Sequence, residues 1–203
     1  LTFTVDARSL SGHKFPTGYP SRRTWLHVAV TDAQGRTVFE SGALDSTGAI
    51  RGNDNDVDPL KWEPHYEQIT GGDQVQIYEP ILGDRNGAPT TGLLTAVRYL
   101  KDNRLLPRGF EKATAEAEIG VYGEAARDVD FVGGGDRVRY IVDAPAGGSF
   151  TVSVELRYQP IGYRWAHNLE RYDAREPKQF VTYYNALSSS SSVVVAATNA
   201  ATH

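Results

Sequence analysis

Hydrophobic alternation constrains this chain most. Over Trp25 to Thr31, Leu26, Val28 and Val30 fall on one face of an extended run, and Trp25, His27 and Ala29 fall on the other. A period of two suits a half-buried strand and cannot build a helical stripe. Asp32-Ala33-Gln34-Gly35 then offers a turn before Thr37-Val38-Phe39-Glu40, which reads as a hairpin. Leu1 to Ala7 alternates in the same way, with Phe3 and Val5 on one side. Gln74 to Tyr78, Leu94 to Leu100, Arg137 to Val142 and Phe150 to Tyr158 are further strand candidates. Many short strands punctuated by Gly and Pro predict a mainly β fold, an antiparallel β-sandwich of Ig-like or jelly-roll-like kind.

The pattern changes after Pro160. Tyr163 to Tyr172 reads as a short helix, and Glu176-Pro177 supplies an acid and a proline suited to a helix start. Phe180, Val181, Tyr184 and Leu187 then recur near helical spacing, which predicts one buried face. The serines Ser188 to Ser192 weaken that helix before Val193 to Val195. The expected organisation is a β-sandwich over 1–160 with a helical segment, 161–203, packed on it. Two long connections, Asp45 to Ile69 and Lys101 to Asp136, lack convincing strands, and connections of that length are often functional.

With 203 residues the chain has room for one ordinary domain and a substantial core. Its formal net charge of -4, with lysine and arginine scattered among acids, provides no basic stripe and argues against nucleic acid as a partner. No stretch reaches the roughly 20 apolar residues that span a bilayer, and LTFTV carries no signal-peptide pattern, so a soluble, processed chain is expected. The chain contains no cysteine, which removes disulfides, thiolate metal sites and any CxxCH heme-attachment motif.

The segment Gly12 to Trp25, GHKFPTGYPSRRTW, places His13 just ahead of a proline-restrained turn. A restrained loop can hold an imidazole at a set angle as a metal or heme-iron ligand; the alternative is a loop histidine bonded to a nearby carbonyl. Arg22 and Arg23 could grip a carboxylate such as a heme propionate in bidentate fashion, or form ordinary surface ion pairs. His65, also beside a proline, could join His13 if their loops converge. His27 on a strand reads as packed or solvent-facing, His167 as part of the helical segment, and His203 as terminal. Asp54, Asp56 and Asp58 put oxygens at alternate positions, as calcium requires, although no Gly or closing acid completes an EF-hand loop. Asx residues that bond their own backbone are the alternative there. No GxSxG, HExxH or phosphate-binding glycine loop favours an enzyme.

GHKFPTGYPSRRTW, HYEQITGGDQVQIYEPILGD, TTGLLTAVRYLKDNRLLPRGFEK and YQPIGYRWAHNLERYDAREPKQFVTYYNAL together resemble the cysteine-free C-terminal β-domain of bacterial multiheme c-type cytochromes. The resemblance implies a heme-free accessory domain in an extracytoplasmic compartment. It also implies that heme c is carried by a partner domain or subunit, with His13, Arg22, Arg23 and His65 as candidates to lie near that heme or to supply an axial ligand. A different reading is an extracellular module for carbohydrate or protein, with Trp62, Tyr66 and Tyr78 as its aromatic platform.

Overall fold

The computed structural model describes residues 1–202, so His203 lies outside the described residues. Two sheets face each other. The smaller contains β1 (Thr2–Arg8), β8 (Gly135–Ile141) and β4 (Gln68–Ile69), in the order β1-β8-β4. The β1/β8 pair is antiparallel and the short β4/β8 pair is parallel. The larger runs β10 (Val193–Ala201), β9 (Phe150–Gln159), β2 (Arg23–Asp32) and β3 (Thr37–Ser41), with β5 (Ile77–Tyr78) also paired to β2. A separate hairpin joins β6 (Pro80–Gly83) to β7 (Arg98–Asp102). The expected mainly β architecture is therefore present: an antiparallel sandwich with a C-terminal helix.

Alternation explains how the layers meet. Leu26, Val28 and Val30 of β2 and Val152 and Val154 of β9 pack against Ala7, Val138 and Tyr140 of the smaller sheet. Leu105, Leu106, Ala125 and Phe131 from the long connection close one side of that core. The opposite face of β2 is also covered, because Trp25 packs with Ile50, Val75 and Ile77 in a second cluster. Its indole N–H donates to the Gly42 carbonyl at 2.8 Å, so the large ring is buried with no polar atom stranded. A strand enclosed on both faces is the spine of the molecule.

Among the described residues the α-helices are α1 (Asp54–Val57), α2 (Tyr163–His167) and α3 (Arg175–Leu187). Glu176 and Pro177 lie in the first turn of α3, where a missing N–H costs nothing. No helix among the described residues is long and apolar enough to cross a membrane.

Three expectations need correction. Residues 161–203 are not wholly helical, because Val193–Ala201 pairs with β9 along most of that strand's length. The β-branched run Val193 to Val195 suits an extended backbone, and the serines before it end the helix. The α3 face is not fully buried either: Tyr184 is enclosed, Phe180 and Val181 are half-buried, and Leu187 is 65% exposed. Finally, only Ile77 and Tyr78 of the 74–78 run pair as a strand, since the backbone before them is bonded elsewhere: Gln74 N–H donates to the Gly71 carbonyl, the Gln74 carbonyl accepts from Ser41, and Val75 N–H donates to Glu63.

These differences set an order of stabilities. Phe131→Ala should cost about 3–5 kcal/mol, as for a fully buried ring, and Phe180→Ala should cost clearly less. Tyr140→Phe should leave stability unchanged or raise it, because the Tyr140 hydroxyl is buried without a hydrogen-bond partner. Urea unfolding of the three variants, compared at constant m, gives the ranking.

Candidate functional site

The loop before β2 carries His13. Its backbone is tied to the core two residues later, where Phe15 and Leu105 exchange N–H···O bonds of 2.8 Å in both directions. Lys14 reinforces this anchor by reaching Asp102 at 2.7 Å and the Gly120 carbonyl at 2.6 Å. Asp102 is buried and also holds Arg104 through both carboxylate oxygens. Burial holds the Lys14 ammonium below its ordinary pKa despite the opposing pull of Asp102. At the loop's end, Ser21 bonds the Pro160 carbonyl and accepts the Gly162 N–H.

The imidazole itself stands in solvent. Its Nδ1 lies 3.1 Å from the Lys14 carbonyl, which can only accept, so Nδ1 is the donor and, in the neutral tautomer, Nε2 is the nitrogen left with a lone pair. This is the loop histidine bonded to a nearby carbonyl; ligating imidazoles are commonly oriented by such a bond on the ring nitrogen away from the metal. Arg22 is partly exposed, with one guanidinium nitrogen donating to the Thr17 carbonyl at 2.8 Å.

Arg23 takes no part in this surface. Its guanidinium is buried and forks onto Asp56 through two bonds of 2.8 and 2.9 Å, while its Nε donates to Gln159 at 2.7 Å. Asp56 Oδ2 also accepts the Ile50 N–H at 2.8 Å. Asp54, Asp56 and Asp58 accordingly do not converge on a cation: Asp56 faces a guanidinium, and Asp58 accepts the Leu60 N–H in a turn. Asn53 likewise accepts the Asn55 N–H as the cap of α1. The Asx reading describes this segment.

His65 is enclosed rather than presented to a partner. Its Nδ1 accepts from the amides of Gln76 at 2.8 Å and Asn103 at 3.0 Å. Both amides are oriented by backbone donors, Tyr66 N–H onto Gln76 Oε1 and Glu79 N–H onto Asn103 Oδ1, so their NH2 groups must face the ring. The ring proton therefore sits on Nε2, which donates to Asp128 at 3.0 Å. Asp136 completes the cluster and accepts from Tyr78 at 2.7 Å and Gln76 at 2.9 Å.

His65, Asp128 and Asp136 bring ligand atoms within 4.8 Å of one another, a spacing that suits a metal ion. The hydrogen-bond pattern does not suit one. Coordination through Nε2 would move the proton to Nδ1, against two amide donors already directed at it. The cluster is a buried polar network, and neither Asp128 nor Asp136 was legible as part of it because 63 and 71 residues separate them from His65 in the chain.

The other histidines have local roles. His27 lies between Glu155 at 3.2 Å and Glu40 at 3.1 Å across three strands. His167 of α2 stacks on Tyr163 with ring centroids 3.9 Å apart and bonds Glu170 at 2.8 Å. The aromatic platform does not form: Tyr78 is wholly buried, and Trp62 and Tyr66 are half-buried, the latter donating to Glu63.

Opposite shifts within the His65 network give a pH signature. Burial pushes the Asp136 carboxyl above its ordinary pKa, outweighing His65, Tyr78 and Gln76. Burial also acts to raise Asp128, but hydrogen bonds from His65 and backbone N–H groups hold it below the usual range. A carboxyl raised in the folded state stabilises most below its unfolded pKa of about 4 and loses that contribution as pH climbs through the folded value. The unfolding free energy of the unmodified protein minus that of Asp136→Asn should therefore fall as pH rises from about 4; parallel profiles would contradict the assignment.

No protein-family model matches this chain, and no curated protein does. Among solved structures it is similar to the penta-heme cytochrome c552 from Thermochromatium tepidum, with a TM-score of 0.55 and 17% identity. The match covers 99% of this chain and 36% of that one, so the chain spans about a third of its neighbour's length. At that identity the likeness is one of fold.

Proposed function

We propose that this chain is a heme-free accessory β-domain of an extracytoplasmic multiheme cytochrome, packing against heme-carrying parts and presenting His13 to one heme. The observation that carries this reading is the exposed His13 ring, held through Nδ1 at 3.1 Å from the Lys14 carbonyl, which leaves Nε2 toward solvent. The fold shared with a penta-heme cytochrome supports the setting, and the 36% coverage of that neighbour leaves most of it without a counterpart here. Absence of cysteine means that heme c would be attached to a partner domain or subunit. Neutral imidazole is a common axial donor to iron, and Lys14 would fix its angle through the backbone.

Arg22 is the guanidinium available to a propionate, since its contact with Thr17 leaves other donors free. Arg23 is withdrawn from that role by Asp56, and His65 by its enclosure. The domain's contribution to electron transfer is then to cover a heme edge and set its ligation. Its chemistry is coordination through His13 and shielding of the heme edge.

The test is His13→Ala in the assembled cytochrome, read by electron paramagnetic resonance. One low-spin heme signal is expected to convert to a high-spin or differently ligated form while the other signals stay in place. An unchanged spectrum with lowered thermal stability would reduce His13 to a brace of its own loop.

A further inference from the structure

We infer that the cleft between the end of β1, the Pro107–Phe110 turn and the Val132–Gly135 turn is an oxyanion site, taking a small molecule that bears a carboxylate or a phosphate. The cavity is about 490 Å³ and open to solvent, and Arg8, Arg108 and Arg137 all line it. This inference stands apart from the His13 reading.

Three consecutive glycines build the cleft. A side chain at Gly133 would lie 2.7 Å from the Phe110 carbonyl, and one at Gly135 would lie 2.6 Å from the Ala7 carbonyl. Glycine thus lets both flanking segments close onto the turn, which is bonded to them through Ser9 N–H to Gly134 O and Gly134 N–H to Leu106 O. Gly134 has a φ of +101°, and the stem of Arg108 crosses it at 3.2 Å from where a Cβ would be. The turn therefore holds Arg108 over one side of the cleft, while Arg8, paired in register with Gly135, stands at the other.

The charge balance favours an anion. Arg8 and Arg108 have no carboxylate partner among the described residues. Of the lining acids, Asp6 is taken by Arg137 at 2.8 Å, and Asp136 is turned inward to Tyr78 and Gln76. Asp130 alone opposes the two free guanidinium groups. Two planar forks suit bidentate oxyanion recognition, and exposed Val129 and Val132 beside them suit an apolar body attached to the charged head.

Nuclear magnetic resonance titration of the full chain with inorganic phosphate, and separately with succinate, at constant ionic strength tests this. Saturable shifts of the Gly133, Gly134 and Gly135 amides are expected with at least one anion, and the anion that saturates at lower concentration identifies the head group. The Arg8→Gln/Arg108→Gln variant should weaken binding by about tenfold or more, and Arg108→Lys by less, since it keeps the charge but loses the fork. Arg85→Gln, at a remote exposed arginine, should change nothing. Shifts that grow linearly with both anions, or saturable binding that survives the double substitution, would overturn the inference.

Discussion

The buried pair of Arg23 and Asp56 is the interaction on which the arrangement of this molecule depends. Removing both charges from water is costly, and an unpaired survivor would cost about 3–5 kcal/mol. The fold therefore surrounds them. Gln159 of β9 takes the Arg23 Nε–H, the Gly48 carbonyl takes a further donor at 3.3 Å, and Ile50 N–H satisfies Asp56. Gln159 in turn reaches Ser191 at 2.7 Å, and Arg164 of α2 donates to the Asn55 and Asp56 carbonyls. One ion pair thus fixes the 48–56 loop, the helices and the entry to β10 against β2. The same end of the sandwich receives the close of the His13 loop through Ser21 and the Pro160 to Gly162 turn.

The second buried network works by protonation rather than by charge pairing. Gln76 and Asn103 dictate the tautomer of His65, and His65 dictates which carboxylate receives a proton donor. A His and two Asp at metal-like spacing would ordinarily invite a cation. Here two backbone N–H groups, each one side-chain amide removed from the imidazole, decide against it. The network binds β5, the 128–136 segment and the stretch after β7 into one polar core beside the apolar one, which makes the two long connections part of the domain's interior.

Local periodicity made the fold legible where strands are half-buried. The alternation of Leu26, Val28 and Val30 and the hairpin turn after Asp32 translate directly into β2 and β3. It failed where the backbone is bonded elsewhere: Gln74 and Val75 look like ordinary strand residues, but the Gln74 carbonyl accepts from Ser41 and Val75 N–H donates to Glu63. The strand at 193–201 was hidden because all nine residues are exposed, so no alternation marks it. Among candidate residues, the restrained setting of His13 could be read from Gly12 and Pro16, whereas the burial of Arg23 and His65 could not. Their partners, Asp56, Gln159, Asp128 and Asp136, are 33 to 136 residues away, and contacts at such separations are a product of the fold.

The His13 loop is built by the domain itself, through backbone bonds to its own core. Amide hydrogen exchange of the isolated chain tests this most directly at Phe15 and Leu105, whose reciprocal bonds anchor the loop. The account predicts that both amides exchange slowly, with protection close to that of the β2 strand, while the His13 amide exchanges faster. Loss of protection at Phe15 and Leu105 to the level of a frayed terminus would contradict it, because the imidazole would then have no fixed platform.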